Sequence, residues 1–168
     1  MDIRMYRPED IEQLELWQPT GPSGFHARRP RCQEDGDSSF LIAWFEDSPV
    51  GTVEIRWYGC AAPEVRERFP GCPELNGLQV WPEQLRSLGI GTTIITTAEE
   101  IVAGRGYPRL GLGVGDDNER AAQLYLRLGY AETGCRYLDR YPYTTDDGTQ
   151  HEAADPCRFL VKTLPARP

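Results

Sequence analysis

Apolar residues recur along this chain in two rhythms, a period of two and a period near 3.6, and the switches between them predict its elements. Ile3 and Met5 mark a short first strand. Ile11, Leu14 and Trp17 follow at helical spacing behind Pro8-Glu9-Asp10, whose acidic residues suit a helix start, and Pro19 ends that helix. Residues 18–38 hold three prolines, three glycines, three arginines and His26 with little periodicity, so they read as a long loop, functional or disordered. Ser39 to Phe45 and Val50 to Trp57 are β-rich runs joined through Asp47-Ser48-Pro49, an antiparallel hairpin. In the second run Val53, Ile55 and Trp57 share one face, and Thr52, Glu54 and Arg56 the other. The connection over 58–73 contains one turn of helix near Glu64 to Arg68.

Glu74 to Trp81 is the fourth strand, and Gly77 at its centre predicts a bulge or the close approach of a backbone or ligand. Behind it, Ile90, Ile94, Ile95, Ala98, Ile101 and Val102 form one stripe of a helix. The fifth strand, Arg109 to Gly115, places Gly111, Gly113 and Gly115 on one face and Leu110, Leu112 and Val114 on the other. Bare glycines give no packing, so either a large aromatic such as Trp44 or Trp57 lies on that face, or a ligand enters there. A helix from Asn118 buries Ala121, Leu124, Tyr125 and Leu128 and closes at Gly129. Ala131 to Tyr143 and Pro156 to Leu164 are the last strands, joined across Asp146-Asp147-Gly148. This order predicts an α/β (α+β) fold: a mixed, mostly antiparallel sheet of about seven strands with helices on both faces.

Composition narrows the class without changing the picture. The length of 168 residues suits a single domain over 1–168. No apolar run approaches the roughly 20 residues that span a bilayer, and Met1 to Met5 is not a signal peptide, so a cytoplasmic protein away from membranes is expected. Five cysteines without a Cys-x-x-Cys pair indicate neither a disulfide framework nor zinc, and His26 and His151 lack partners at metal spacing, so no metal is expected. A net charge of −8 argues against a nucleic-acid surface and favours cationic ligands, although acidic averages are common.

The most informative stretch is Val80 to Thr92, Val-Trp-Pro-Glu-Gln-Leu-Arg-Ser-Leu-Gly-Ile-Gly-Thr. A strand, a glycine-bearing loop and a helix start follow one another there, which offers unpaired backbone N–H groups and a positive dipole end to a phosphate. A Walker loop would need a lysine, and the chain's one lysine is Lys162. A dinucleotide fingerprint would need a small residue where Ile94 stands. The remaining pattern, Arg86-x-x-Gly89-x-Gly91, resembles the acetyl-coenzyme A loop of the GNAT superfamily of N-acetyltransferases. Asn118-Glu119-Arg120-Ala121 through Leu124-Tyr125 to Gly129-Tyr130 is similar to the second signature of that family, and Arg4 to Asp10 to its opening strand and helix start. The resemblance covers most of residues 1–164 and is strongest over 74–130.

The resemblance implies splayed fourth and fifth strands and acetyl-CoA as co-substrate. Its pyrophosphate falls to Arg86, Leu88, Gly89, Ile90, Gly91 and Thr92, and its pantetheine to the backbone of Leu78 and Val80, with Asn118, Ala121 and Tyr125 nearby. Glu74, six residues before Val80, matches the glutamate that many members use as a base through water; Glu54 is the alternative. The oxyanion donor is assigned to the Val80 N–H, and the proton for the leaving thiolate to Tyr125, whose ordinary reading is core packing. Asn118 either bonds pantetheine or caps its helix. The acceptor pocket is expected to draw on 18–38, 58–73 and Tyr137 to Tyr141. The expected acceptor is the primary amine of a small molecule, a cationic one on the ground of the net charge of −8. The rivals are a peptide or protein N-acetyltransferase and a non-catalytic acyl-CoA-binding module. The pattern is compatible with a homodimer.

Overall fold

The computed structural model describes residues 1–86 and 88–165; Ser87 of the glycine loop and residues 166–168 of the expected domain lie outside the described residues. One seven-stranded sheet organises them: β1 (Asp2–Met5), β2 (Ser38–Phe45), β3 (Ser48–Arg56), β4 (Glu74–Val80), β5 (Arg109–Gly115), β6 (Ala131–Thr144) and β7 (Gln150–Thr163). Their spatial order is β1-β2-β3-β4-β5-β7-β6, antiparallel throughout except for β4 and β5.

The parallel pair is the mechanical centre of the fold. It is made by only two residue pairs, Glu74 with Gly111 and Leu75 with Leu112. Beyond Leu75 the two strands separate while β4 keeps pairing with β3 as far as Gly51–Val80. Gly77 sits at positive φ, and the β3–β4 register slips between Thr52 and Glu54, so the expected bulge is real.

Among the described residues five α-helices surround the sheet: α1 (Ile11–Trp17), α2 (Phe25–Glu34), α3 (Pro63–Arg68), α4 (Ile90–Gly104) and α5 (Glu119–Arg127). The α4 stripe buries Ile90, Ile94, Ile95, Ala98 and Val102 against Leu41, Val53, Ile55 and Leu110. Leu124, Tyr125 and Leu128 of α5 and its C-terminal edge join that core only half-buried, and Ala122 is the residue α5 buries fully. α1 and the segment behind it cover another layer, in which Tyr6, Leu14, Phe40, Ile42, Trp44 and Trp81 cluster.

Residues 18–38, expected as a loop, contain α2. Periodicity misses it because Pro30 interrupts the helix and because polar side chains anchor it. The Arg29 guanidinium carbon lies 4.0 Å from the Phe25 ring centre and 3.4 Å from that of Phe40. Gln33 donates to the Tyr6 carbonyl and accepts from the Phe40 N–H, 3.1 Å each. Aromatics cover the glycine face of β5 at Gly111 and Gly113, though not the ones named, while Gly115 has only the Asp117 carboxylate beside it. A Cβ on Gly111 would collide with the Phe159 ring, and one on Gly113 with the Tyr137 hydroxyl. Trp57 is engaged elsewhere, stacked on Tyr107 at 5.7 Å and donating to Ser39 Oγ at 3.0 Å, and Trp44 lies under Arg4. The last hairpin is longer than its β-rich runs, since Gln150 to Asp155 have little strand propensity and are held by pairing with β6.

All five cysteines are free, and Cys60, Cys72, Cys135 and Cys157 are buried. Among the described residues no helix is long and apolar enough to cross a membrane.

Candidate active site

Two cavities flank the point where β4 and β5 part. The first, of about 380 Å³, is lined by Leu78 and Val80 of β4, Arg86, Gly89, Gly91 and Thr92 of the loop and α4, and Asn118 and Ala121 at the start of α5. Eight of the residues that the sequence suggests for a phosphorylated ligand thus meet in one groove. Arg120, Leu124 and Arg127 line it too; a helix pattern alone does not say which face turns to a ligand. Ile90 turns into the core and Leu88 is exposed, so within this groove each can offer its backbone rather than its side chain.

The local reasons are visible. Gly89 is the N-cap of α4 at φ 86°, a conformation that L side chains rarely adopt, and no side chain among the described residues caps the helix. The first bond of the helical ladder is Thr93 N–H to the Gly89 carbonyl, 2.9 Å, so the N–H groups of Ile90, Gly91 and Thr92 precede it. Gly91 has ordinary φ, and the nearest atoms to a Cβ there would be Leu78, Val80 and Leu124 carbons at 3.8–3.9 Å. The Trp81 N–H bonds to the Val50 carbonyl of β3 at 2.9 Å, so strand alternation turns the Val80 amide to the open side. Arg86 reaches the Val80 carbonyl through Nε at 3.2 Å and pairs with exposed Glu83. Asn118 caps α5, its Oδ1 accepting from the Ala121 N–H at 3.1 Å.

The second cavity, of about 540 Å³, shares Asn118 with the first. Glu74, Asn76 and Gly77 of β4, Gly113 and Gly115 of β5, Tyr137 and Asp139 of β6, and Asp155 to Cys157 of β7 line it, with Asp116 and Asp117 at its mouth. Residues 18–38 and 58–73, expected in an acceptor pocket, do not line it. The first segment folds into α2, and Cys60, Ala62 and Val65 of the second pack beneath Tyr137 and Phe159. β7 takes their place, a contribution that only the sheet order reveals.

Glu74 is 3% exposed. Burial raises its carboxyl above the ordinary glutamate value, while Arg56, whose Nη1 lies 3.2 Å from Oε2, and the Cys60 thiol work in the opposite direction. Glu54 points to Arg56 and Asn76 and does not line the cavity. Asp139 stands directly across from Asp155, and burial raises its carboxyl also. Tyr125 lines neither cavity. It is half-buried, edge-on to Tyr130 at 6.1 Å between ring centres, and burial pushes its hydroxyl up to about 12.

A sequence model described as the acetyltransferase (GNAT) family matches residues 8–130. Solved structures share the whole architecture. The chain is similar to a ribosomal-protein-alanine N-acetyltransferase from Brucella melitensis, at 20% identity over 98% of this chain and 100% of that one, with a TM-score of 0.69. It is similar to a GNAT family acetyltransferase from Elizabethkingia anophelis with acetyl-CoA bound, at 16% identity over 97% of both chains and a TM-score of 0.62. It is also similar to an aminoglycoside 6'-N-acetyltransferase complexed with coenzyme A, at 20% identity over 100% of this chain and 99% of that one, with a TM-score of 0.64.

Proposed function

The chain belongs to the GNAT family of acetyltransferases, and from that premise we propose that it acetylates the primary amine of a small, cationic molecule by direct attack on acetyl-CoA. The observation that carries this reading is the meeting of two cavities at Asn118, one suited to an anion and the other lined by carboxylates. The first fits acetyl-CoA on this chain's own terms. Three helix-start N–H groups, a glycine whose φ removes a side chain from their approach, and Arg86, Arg120 and Arg127 make a cradle for phosphates. The open side of β4 at Leu78 and Val80 can pair with amides as another strand would.

Acetyl-CoA, when bound, supplies an acetyl thioester. The protein's part is to orient the amine and handle protons. An ammonium entering the second cavity meets Glu74, Asp116, Asp117, Asp139 and Asp155, and those carboxylates hold it. Glu74 takes its proton, directly or through water, and a carboxyl with a raised value suits that exchange near neutral pH better than an ordinary glutamate. The Val80 N–H, turned to the gap, is positioned to donate to a developing oxyanion. The Tyr125 hydroxyl stays protonated at working pH and is assigned the return of a proton to the leaving thiolate. A volume of about 540 Å³ is in the range of small-molecule sites, which supports a small acceptor over a peptide.

The test is acetyl transfer to a panel of amines, read by free thiol release. Glu74→Gln is expected to lower kcat by roughly 10²–10⁴-fold with CoA affinity nearly unchanged. A crippled Glu54→Gln beside a normal Glu74→Gln would move the base to β3. Burial raises the folded-state value of Glu74, so its ionisation opposes folding: the stability present below the unfolded value is lost as pH rises through the folded one. Glu74→Gln should therefore melt no lower than wild type at pH 8, and the two should converge at acid pH.

A further inference from the structure

We propose that Arg56 is the positioning residue for Glu74: held from its other side by Glu54, the guanidinium fixes the buried carboxylate's orientation and keeps it open to a proton. This rests on the reading of Glu74 as the base. The geometry is a block of four side chains on one face of the sheet. Arg56 and Glu74 are direct cross-strand partners, as are Glu54 and Asn76. Arg56 Nη1 lies 3.2 Å from Glu74 Oε2, and its Nε lies 3.3 Å from Glu54 Oε2. Asn76 Nδ2 donates to the same Glu54 oxygen at 3.5 Å. One guanidinium therefore serves two carboxylates, and Asn76 steadies the second of them.

The charge count explains what the block does. With both carboxylates ionised it carries one net negative charge, and a single proton neutralises it. Burial penalises the ionised form of Glu74, which is 3% exposed, so that proton goes to Glu74. Glu74 is also the one facing the cavity. Without Arg56 the same burial, together with Asp139 facing Glu74 from β6, would hold Glu74 as the neutral acid, which cannot accept a proton. The other groups that face it are weaker partners. The Cys60 thiol interacts with Glu74, and burial, ahead of Glu74 itself, pushes that thiol up to about 12, so it stays protonated. Tyr137 is kept protonated by burial first, with Cys60 and Glu74 adding to it, and Tyr58 and Cys72 interact with Glu74 at longer range.

The experiment is a pH titration of protein carrying ¹³C-carboxyl glutamate, with the Glu74 resonance assigned by its loss in Glu74→Gln. Arg56→Met should move the Glu74 midpoint up by at least about one pH unit, a tenfold rise in proton affinity. Glu54→Gln should move it down, because Arg56 then compensates Glu74 alone. Arg56→Lys, a point charge that cannot bridge two carboxylates, should fall between wild type and Arg56→Met. A merely structural role would lower melting temperature in each variant without shifts of opposite sign. With spermidine and acetyl-CoA the acid limb of kcat/KM should follow the same shifts, with KM for acetyl-CoA unchanged. An unmoved midpoint in Arg56→Met, or an upward one in Glu54→Gln, overturns the proposal; if Arg56→Met does not fold, Arg56→Lys and Glu54→Gln decide it. Absence of transfer to any amine, with the titration shifts present, would sink the base reading and leave the coupling of Arg56 to Glu74 standing.

Discussion

Single residues in this protein act through who holds them. Asp10 accepts from Arg4 Nη1 and Nη2 at 2.8 and 2.7 Å and from the Arg7 N–H at 2.8 Å, which ties β1 to the start of α1. Burial works to raise its carboxyl, but the Arg4 bonds and then the Arg7 N–H outweigh it, and the net direction is down. A folded value below the unfolded one gives stability that is present at neutral pH and lost as pH falls through the folded value. Asp10→Asn should therefore cost about 1–3 kcal/mol at pH 7 and progressively less in acid, as chemical denaturation at several pH values would report. Tyr125 is a different case, because its ring belongs to the core and only its hydroxyl is claimed for chemistry. Tyr125→Phe keeps the edge contact with Tyr130 and removes that hydroxyl. A loss in kcat of at least about tenfold, with little change in melting temperature, is expected. An unchanged kcat, with chemistry rate-limiting, would return the residue to packing alone.

Elements matter here through their ends. α4 presents its first N–H groups to the groove because Gly89 takes a left-handed φ and, among the described residues, no side chain caps it. Gly91 permits a clean test, since its φ is ordinary and the surroundings of a Cβ are apolar carbons at contact distance. Gly91→Leu should fold, and the rest of its side chain must enter the groove. Wild-type protein should gain about 2.7 kcal/mol at a CoA concentration near 100 Kd, and a thermal-shift titration should find most of that gone in Gly91→Leu. No shift of wild type at millimolar CoA would contradict the groove's assignment. The same attention to ends explains β4, whose first two residues pair with β5 and whose remainder is free to meet a ligand.

At the scale of the molecule, an overall charge of −8 and a cavity carrying five carboxylates act together on what approaches. Arginines pair with two of these carboxylates, Arg56 with Glu74 at 3.2 Å and Arg136 with Asp116 at 2.8 Å. Such a field concentrates cations, and its reach shrinks to about 10 Å at 0.1 M ionic strength. For spermidine, kcat/KM should fall as salt is added, and small amines should compete well against a lysine-rich peptide at equal concentration. Preference for the peptide, or salt-independent kinetics, would argue for a different acceptor.

The sequence by itself determined the anion cradle, the bulge at Gly77, the α4 stripe and the bare face of β5, because each depends on residues contiguous in the chain and on local backbone freedom. It also put Glu74 ahead of Glu54 as the base, through its register six residues before Val80. Tertiary structure decided what pairing and packing bring together. It set Arg56 beside Glu74, 18 residues away, and Asp139 opposite Asp155. It put Phe159 and Tyr137, rather than a tryptophan, over the glycines, and made a helix of a proline-bearing segment by wedging Arg29 between two rings. The cradle is legible because a helix start has the same chemistry wherever it stands. The acceptor cavity is not, since its walls come from four strands whose order the periodicities do not contain.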